Sequence, residues 1–326
     1  MEARTIMTEN TEGRLPNLPV PLFATVMGMA GLTLAWRTGE IVWDGPSTIS
    51  AALTGLTTVL FIFLAIAYLS KLKGWPDKVK EEFNHPVKLN FFAATSISLI
   101  LLSMLWLPVA EGWALALWIV GVIAHLLLTL TAMARWTGAQ PMPIESINPA
   151  WFIPVVGNIL IPLPGVAFGL IELSWFFFSI GLVFWIVLMT LVFYRFIFHD
   201  PLPERMMPTL AILLAPPAVG FLAWIELTGE VDAFARILYY IGAFLFLLLL
   251  VRLPAFLRLP FFLSWWAYSF PVAAFSIATM EFGRHAALPL METLGVILLA
   301  LTTILIVGLA LRTLKAARAG EICRPE

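Results

Sequence analysis

Apolar residues run along this chain in long stretches, separated by short polar joints that hold most of its Lys, Arg, Asp and Glu. Crossing about 30 Å of hydrocarbon at about 1.5 Å per residue takes about 20 residues. Read in windows of that length, the sequence predicts ten membrane-spanning helices, at 20–36, 47–70, 88–107, 112–134, 150–170, 171–198, 206–225, 234–253, 260–280 and 287–311. The joints are short, which predicts one compact all-α integral membrane bundle at 19–315 between polar ends at 1–18 and 316–326. The fifth and sixth spans are almost continuous, and a hinge near Gly169 is expected to divide them. Composition agrees with lipid as the surrounding solvent. Of 326 residues 61% are hydrophobic and 12% charged, where soluble domains carry about a quarter charged.

Charge placement gives a second reading of the topology. With the N-terminus, every even-to-odd joint and the C-terminus on one side, that side holds all of the 19 Lys and Arg except Arg37, Arg236 and Arg284. Cytoplasmic joints carry the basic excess, so both termini are expected in the cytoplasm. Residues 1–18 mix Glu2, Glu9 and Glu12 with Arg4 and Arg14 and lack the apolar core of a cleavable signal. The lone Cys323 excludes an intramolecular disulfide.

The two members of each predicted hairpin differ. Odd-numbered spans carry Pro21, Pro154, Pro162, Pro164, Pro208, Pro216, Pro217, Pro260 and Pro271, whereas the even-numbered spans carry only Pro289, at an end. Proline inside a helix removes a donor and frees a carbonyl, which hydrocarbon penalises by several kcal/mol. Such segments are expected inside, facing one another or a wet path. Small and weakly polar residues fall on the same spans: Thr25, Gly28 and Gly31; Thr95, Ser96, Ser98 and Ser103; Gly157 and Asn158; Thr209 and Gly220; Ser264 and Ser269. They suit close helix packing or the wall of a pore, and the odd–even division favours the pore.

Charged groups are nearly absent from span centres. Arg37, Glu111, Arg195, Glu226, Arg252 and Glu281 sit near span ends, where long side chains can snorkel. His125 is the exception and reads better as a bond to a neighbouring helix than as a proton relay. The four histidines are dispersed, with no metal-ligand spacing, nucleophile elbow, phosphate-cradling loop or basic-aromatic patch. Enzymatic, metal-dependent, cofactor-dependent and nucleic-acid functions are therefore not expected. A pore without fixed charge would hold ions weakly and pass them quickly.

Several segments, in order, resemble one transport family. They are P-x-P-L-F-A-T-V-M-G (Pro19–Gly28) with L-A-W (Leu34–Trp36), H-P-V-K (His85–Lys88), N-P-A-W-F-I-P (Asn148–Pro154), R-M-M-P-T-L-A-I-L-L-A-P-P-A-V-G (Arg205–Gly220) and L-S-W-W-A-Y-S-F-P (Leu263–Pro271). The set is similar to the tellurite-resistance/dicarboxylate transporter family, which includes bacterial TehA and the plant slow anion channels. The resemblance implies five tandem hairpins, odd helices around a central pore, a homotrimer in a bacterial-type inner membrane, and small inorganic or organic anions as cargo. It also implies a phenylalanine gate on the ninth helix: Phe270, with Phe275 as its rival and Phe262 too near the span start. Pro21, Thr25, Gly28, Ser96, Pro154, Gly157, Asn158, Pro216, Pro217, Gly220, Ser269 and Pro271 are the expected lining and kink positions. Pro162 and Pro164 depart from the family's fifth helix and put the lumen's shape there in doubt. The long regulatory tails of the plant channels have no expected counterpart here.

Overall fold

A computed structural model describes residues 13–324. Its α-helices, in chain order, are α1 (Phe23–Val42), α2 (Thr48–Gly74), α3 (Pro76–Asn84), α4 (Lys88–Trp106), α5 (Glu111–Trp136), α6 (Phe152–Val156), α7 (Pro162–Ala167), α8 (Ile171–Phe198), α9 (Ala215–Thr228), α10 (Ala233–Phe256), α11 (Ser269–His285) and α12 (Pro289–Arg318). No strand occurs among the described residues. Residues 1–12 of the predicted N-terminal segment, and the last two of the chain, lie outside the described residues.

Nine segments among the described residues are long and apolar enough to cross a membrane. The stretch Leu263–His285, a 3-10 turn run followed by α11, is also helical but richer in Trp, Tyr, Ser and Thr, and does not count among them. Burial separates the segments cleanly. Val20–Val42, Lys88–Trp106, Pro149–Ala167 and Glu204–Thr228 bury 67–83% of their central windows, whereas α2, α5, α8, α10 and α12 bury 22–33%. The exposed faces of the second group are Leu, Ile, Val and Phe, such as Phe63, Ile186, Phe244 and Ile304.

The prolines act differently from mid-helix kinks. In four segments a 3-10 stretch leads into an α-helix, and proline sits at or near the junction. Pro21 lies in Val20–Leu22 just before α1, Pro154 is the third residue of α6, Pro216 and Pro217 follow the first residue of α9, and Pro271 is the third of α11. The first turn of a helix has no internal partner for its N–H groups, so a proline there costs little. A 3-10 run also rises about 2.0 Å per residue against about 1.5 Å for an α-helix, lengthening the crossing. Glu204–Leu214 extends this geometry over 11 residues with Pro208 inside it. The predicted hinge is present: Gly169 adopts φ +73 between α7 and α8, a conformation glycine reaches without a Cβ clash.

Charged side chains at span ends secure the turns rather than float. Arg37, late in α1, donates to the Met104 and Leu105 carbonyls at 2.8 Å each, capping the end of α4. Glu40 Oε1 accepts from Ile49 N at 2.9 Å and Ser50 N at 3.1 Å, holding the start of α2. At the opposite face, the amphipathic helix α3, which the sequence pattern left as a joint, is tied down by a buried ion pair. Lys71 Nζ lies 2.7 Å from Glu82 Oε2, Tyr68 donates to the same oxygen at 2.7 Å, and Lys71 also donates to the Leu18 carbonyl at 2.8 Å.

Candidate functional site

Contacts between the buried segments run in cyclic order. α1 packs on α4, α4 on α6 and the 3-10 turn Gly157–Leu160, that turn and α7 on α9, α9 on α11, and α11 back on α1. A cavity of about 1000 Å³ lies among them. Its mouth is on the face where α1, α4 and α9 have their N-terminal approaches and α2, α8 and α12 end, bordered by Lys71, Lys78, Lys88, Arg195, Arg205 and Arg324 and by Glu81, Glu145, Asp200 and Glu321. The charges stop at the mouth. Further in, the wall is Ala24, Met27, Ala94, Ile97, Val156, Gly157, Leu160, Ile212, Val219 and Phe270.

The cavity reaches Met27 on α1, Ile97 on α4, Leu160 after α6, Val219 on α9 and Pro271 on α11, and no further along any of them. Phe270 stands at that level and is 8% exposed. It fits because Gly31 faces it across α1: a Cβ on Gly31 would lie 3.2 Å from Phe270 Cδ2 and 3.0 Å from Ala273 Cβ. Phe275 points elsewhere. It stacks between Tyr239, centroids 5.9 Å apart, and Phe246, 5.1 Å apart, on α10.

Of the other residues singled out from the sequence, Pro21, Gly157, Pro216 and Pro271 border the cavity. Thr25, Gly28, Ser96, Pro154, Asn158, Pro217, Gly220 and Ser269 are buried in contacts between segments. Thr25 and Ser269 donate back to their own chain, at Leu22 O (2.7 Å) and Trp266 O (2.6 Å). Gly28 leaves room for Ser269, whose hydroxyl a Cβ there would strike. Ser96 Oγ pairs with His125 Nδ1 at 2.9 Å, and His125, 0% exposed, leans on Gly157, where a Cβ would fall 2.8 Å from its Nε2. Asn158 donates to Thr129 Oγ1 at 3.0 Å, and that hydroxyl lies 2.6 Å from the Pro154 carbonyl. The polar groups of the odd segments thus bond mostly to their own backbone or to α5, behind the wall. What the sequence did not mark is the apolar wall itself, together with Arg195, 4% exposed and bordering the cavity rather than snorkelling. A lone Arg at the end of an apolar run gives no signal that separates the two.

Residues 17–314 match the profile of the SLAC1 voltage-dependent anion channels. The chain belongs to that family. Its family relatives include the S-type anion channel SLAH3 of Arabidopsis thaliana, 29% identical over 303 residues that make up 91% of this chain and 48% of that protein. The Tellurite resistance protein TehA homolog of Haemophilus influenzae is 29% identical over 273 residues, 81% of each chain. The Uncharacterized transporter MJ0576 of Methanocaldococcus jannaschii is 26% identical over 297 residues, 82% of this chain and 85% of that one. The chain spans 48–59% of the length of the Arabidopsis thaliana channels SLAH3, SLAH2 and SLAC1. Two of these relatives are named as a channel and a transporter, and helices here that are long and apolar enough to cross a membrane accord with that class.

Proposed function

We propose that this protein is an anion channel, or a channel-like transporter, in which the five cyclically packed segments form an inner ring around a pore and the exposed helices an outer ring against lipid. Leu263–His285 then counts as the tenth span, its polarity tolerated because it faces protein and lumen rather than acyl chains. The basic face with both termini is cytoplasmic, in a bacterial-type inner membrane, and the assembly is a homotrimer. One observation carries the reading: a cavity bordered by basic and acidic side chains at its mouth continues along an uncharged wall and ends at the level of Phe270. The basic side chains at the mouth attract small anions against the opposing pull of the acidic ones, the neutral wall holds them weakly enough to let go, and the ring closes the path. Purified protein in planar bilayers, with reversal potentials read in chloride, nitrate and gluconate mixtures, tests it. Reversal potentials that follow the anion gradient are expected, and currents absent or following the cation gradient would overturn it.

The tellurite-resistance relative favours a second reading, a secondary exporter of C4-dicarboxylate, sulfite or tellurium oxyanions. Proton coupling needs a titratable group inside the bilayer, and His125, bonded to Ser96, is the central candidate. Flux that responds to an imposed pH gradient in the wild type but not in His125→Leu supports export, and flux indifferent to both supports the channel.

A further inference from the structure

We propose that Arg195 is an anion-binding residue on the cavity wall, selecting oxyanions with two coplanar oxygens, such as nitrate or a carboxylate, over halides. The argument starts from how each inward cation is satisfied. Lys71 is neutralised by Glu82 at 2.7 Å. Arg37 gives both ends of its guanidinium to the Met104 and Leu105 carbonyls, and Arg135 spends its own on the Phe83 carbonyl and the Asn84 side chain.

Arg195 differs. It is 4% exposed, and its one hydrogen-bond partner among the described residues is the Ile147 carbonyl, which takes Nη1, while Glu145 and Asp200 act on its charge from a longer range. No carboxylate oxygen lies within 4.0 Å of it among the described residues. Its remaining guanidinium nitrogens are not among the sealed, unpartnered buried atoms, and the residue borders the cavity. Glu145 and Asp200 offset part of the cost of burying this cation, and an anion that enters the cavity and takes its spare donors offsets more. Five N–H donors in a rigid plane, with one face already pinned by Ile147, leave a fork that matches two coplanar oxygens. A spherical halide engages the charge but not the fork.

Glu145 and Asp200 border the same cavity. Their charges oppose the visitor and keep the site weak, as a group on a conduction path must be.

The assignment rests on the anion-passing reading for its purpose, not for its test. Full-length protein in detergent is melted against rising sodium nitrate or sodium chloride, the two series compared at equal concentration so that ionic strength is the same in both. Wild type should gain a saturable nitrate stabilisation larger than that from chloride. Arg195→Gln should abolish it, and Arg195→Lys, which keeps a donor for Ile147 and a point charge, should level nitrate with chloride. Glu145→Gln should lower the half-saturating nitrate concentration severalfold, which a purely structural Arg195 would not produce. A wild type without a saturable nitrate shift, or an Arg195→Lys variant retaining the full nitrate preference, overturns the proposal, and the Lys variant decides the matter if the Gln variant does not fold. Binding through Arg195 in a protein that passes no current would sink the channel reading alone.

Discussion

Deleting the Phe270 ring is the most direct perturbation of the pathway. Complete truncation of a core phenylalanine costs about 3–5 kcal/mol, but this ring has protein on the Gly31 side and cavity on the other. Roughly half that loss, about 2 kcal/mol, is expected for Phe270→Ala. In the proposed pore the ring must swing off its rotamer for an ion to pass, at about 1 kcal/mol. Removing that step lowers the barrier by as much and raises flux about fivefold. Single-channel or macroscopic currents in planar bilayers or oocytes measure it. Phe275→Ala is the matched control. It breaks the stack with Tyr239 and Phe246, costs about 3–5 kcal/mol in stability, and leaves conductance alone, because Phe275 does not border the cavity. An unchanged current in Phe270→Ala, or an equal rise in Phe275→Ala, would refute the reasoning.

Three further outcomes are expected. Lys71→Met strands Glu82 in a buried site and should cost about 3–5 kcal/mol in detergent melts, while Lys71→Met with Glu82→Leu recovers most of it; a single variant as stable as wild type contradicts the role given to the pair. Gly157→Ala places a methyl 2.7 Å from His125 Cε1, overpacking worth about 1–3 kcal/mol, and adding His125→Ala should relieve it; purely additive losses would show that the two do not touch. Burial pushes the Cys323 thiol above its usual 9.0, against the opposing pull of Arg14 and Lys71. The thiolate is the reactive form, so iodoacetamide should label Cys323 slowly at pH 8 and progressively faster as pH climbs past 9.0. Rapid labelling at pH 7 would contradict that burial.

What the sequence makes legible is whatever a single segment decides by itself. Apolar length fixes the helices, and the hinge at Gly169 follows from the positive φ that glycine permits. Proline placement marks the segments that the fold buries, although by a different route from the one expected. Pro21, Pro154, Pro216, Pro217 and Pro271 sit where α-helices begin after 3-10 leads and a missing N–H costs little, whereas Pro208 lies inside a 3-10 run and Pro254 inside α10. Helix α3 escaped notice because its nine residues are charged on one face and bury only Val79 and Glu82 on the other. The wall of the cavity was the least legible part. Met27, Ile97 and Val219 are ordinary apolar residues whose position at the end of the passage is set by neighbours far away in the chain. Phe270 stood out only through its motif, and composition alone could not choose among 25 phenylalanines.

The same division explains why small hydroxyl residues were an ambiguous guide. In hydrocarbon a serine or threonine bonds most cheaply to a carbonyl one turn back, as Thr33, Ser98, Thr279 and Thr302 do. Having done so, it presents a methyl or bare Cβ to its surroundings and packs like alanine. Hydroxyls on the odd segments therefore report that those segments approach each other closely, not that water runs between them. The groups that do face the cavity's depth are apolar, and the charged groups, Arg195 among them, stand at its entrance. The proposed pore would then take its sign from the mouth and its closure from an uncharged ring. Mutations that alter anion preference should then cluster at the mouth around Arg195, and mutations that alter open probability at the level of Phe270. A variant at Phe270 that changed chloride-to-nitrate preference without changing conductance would break that separation.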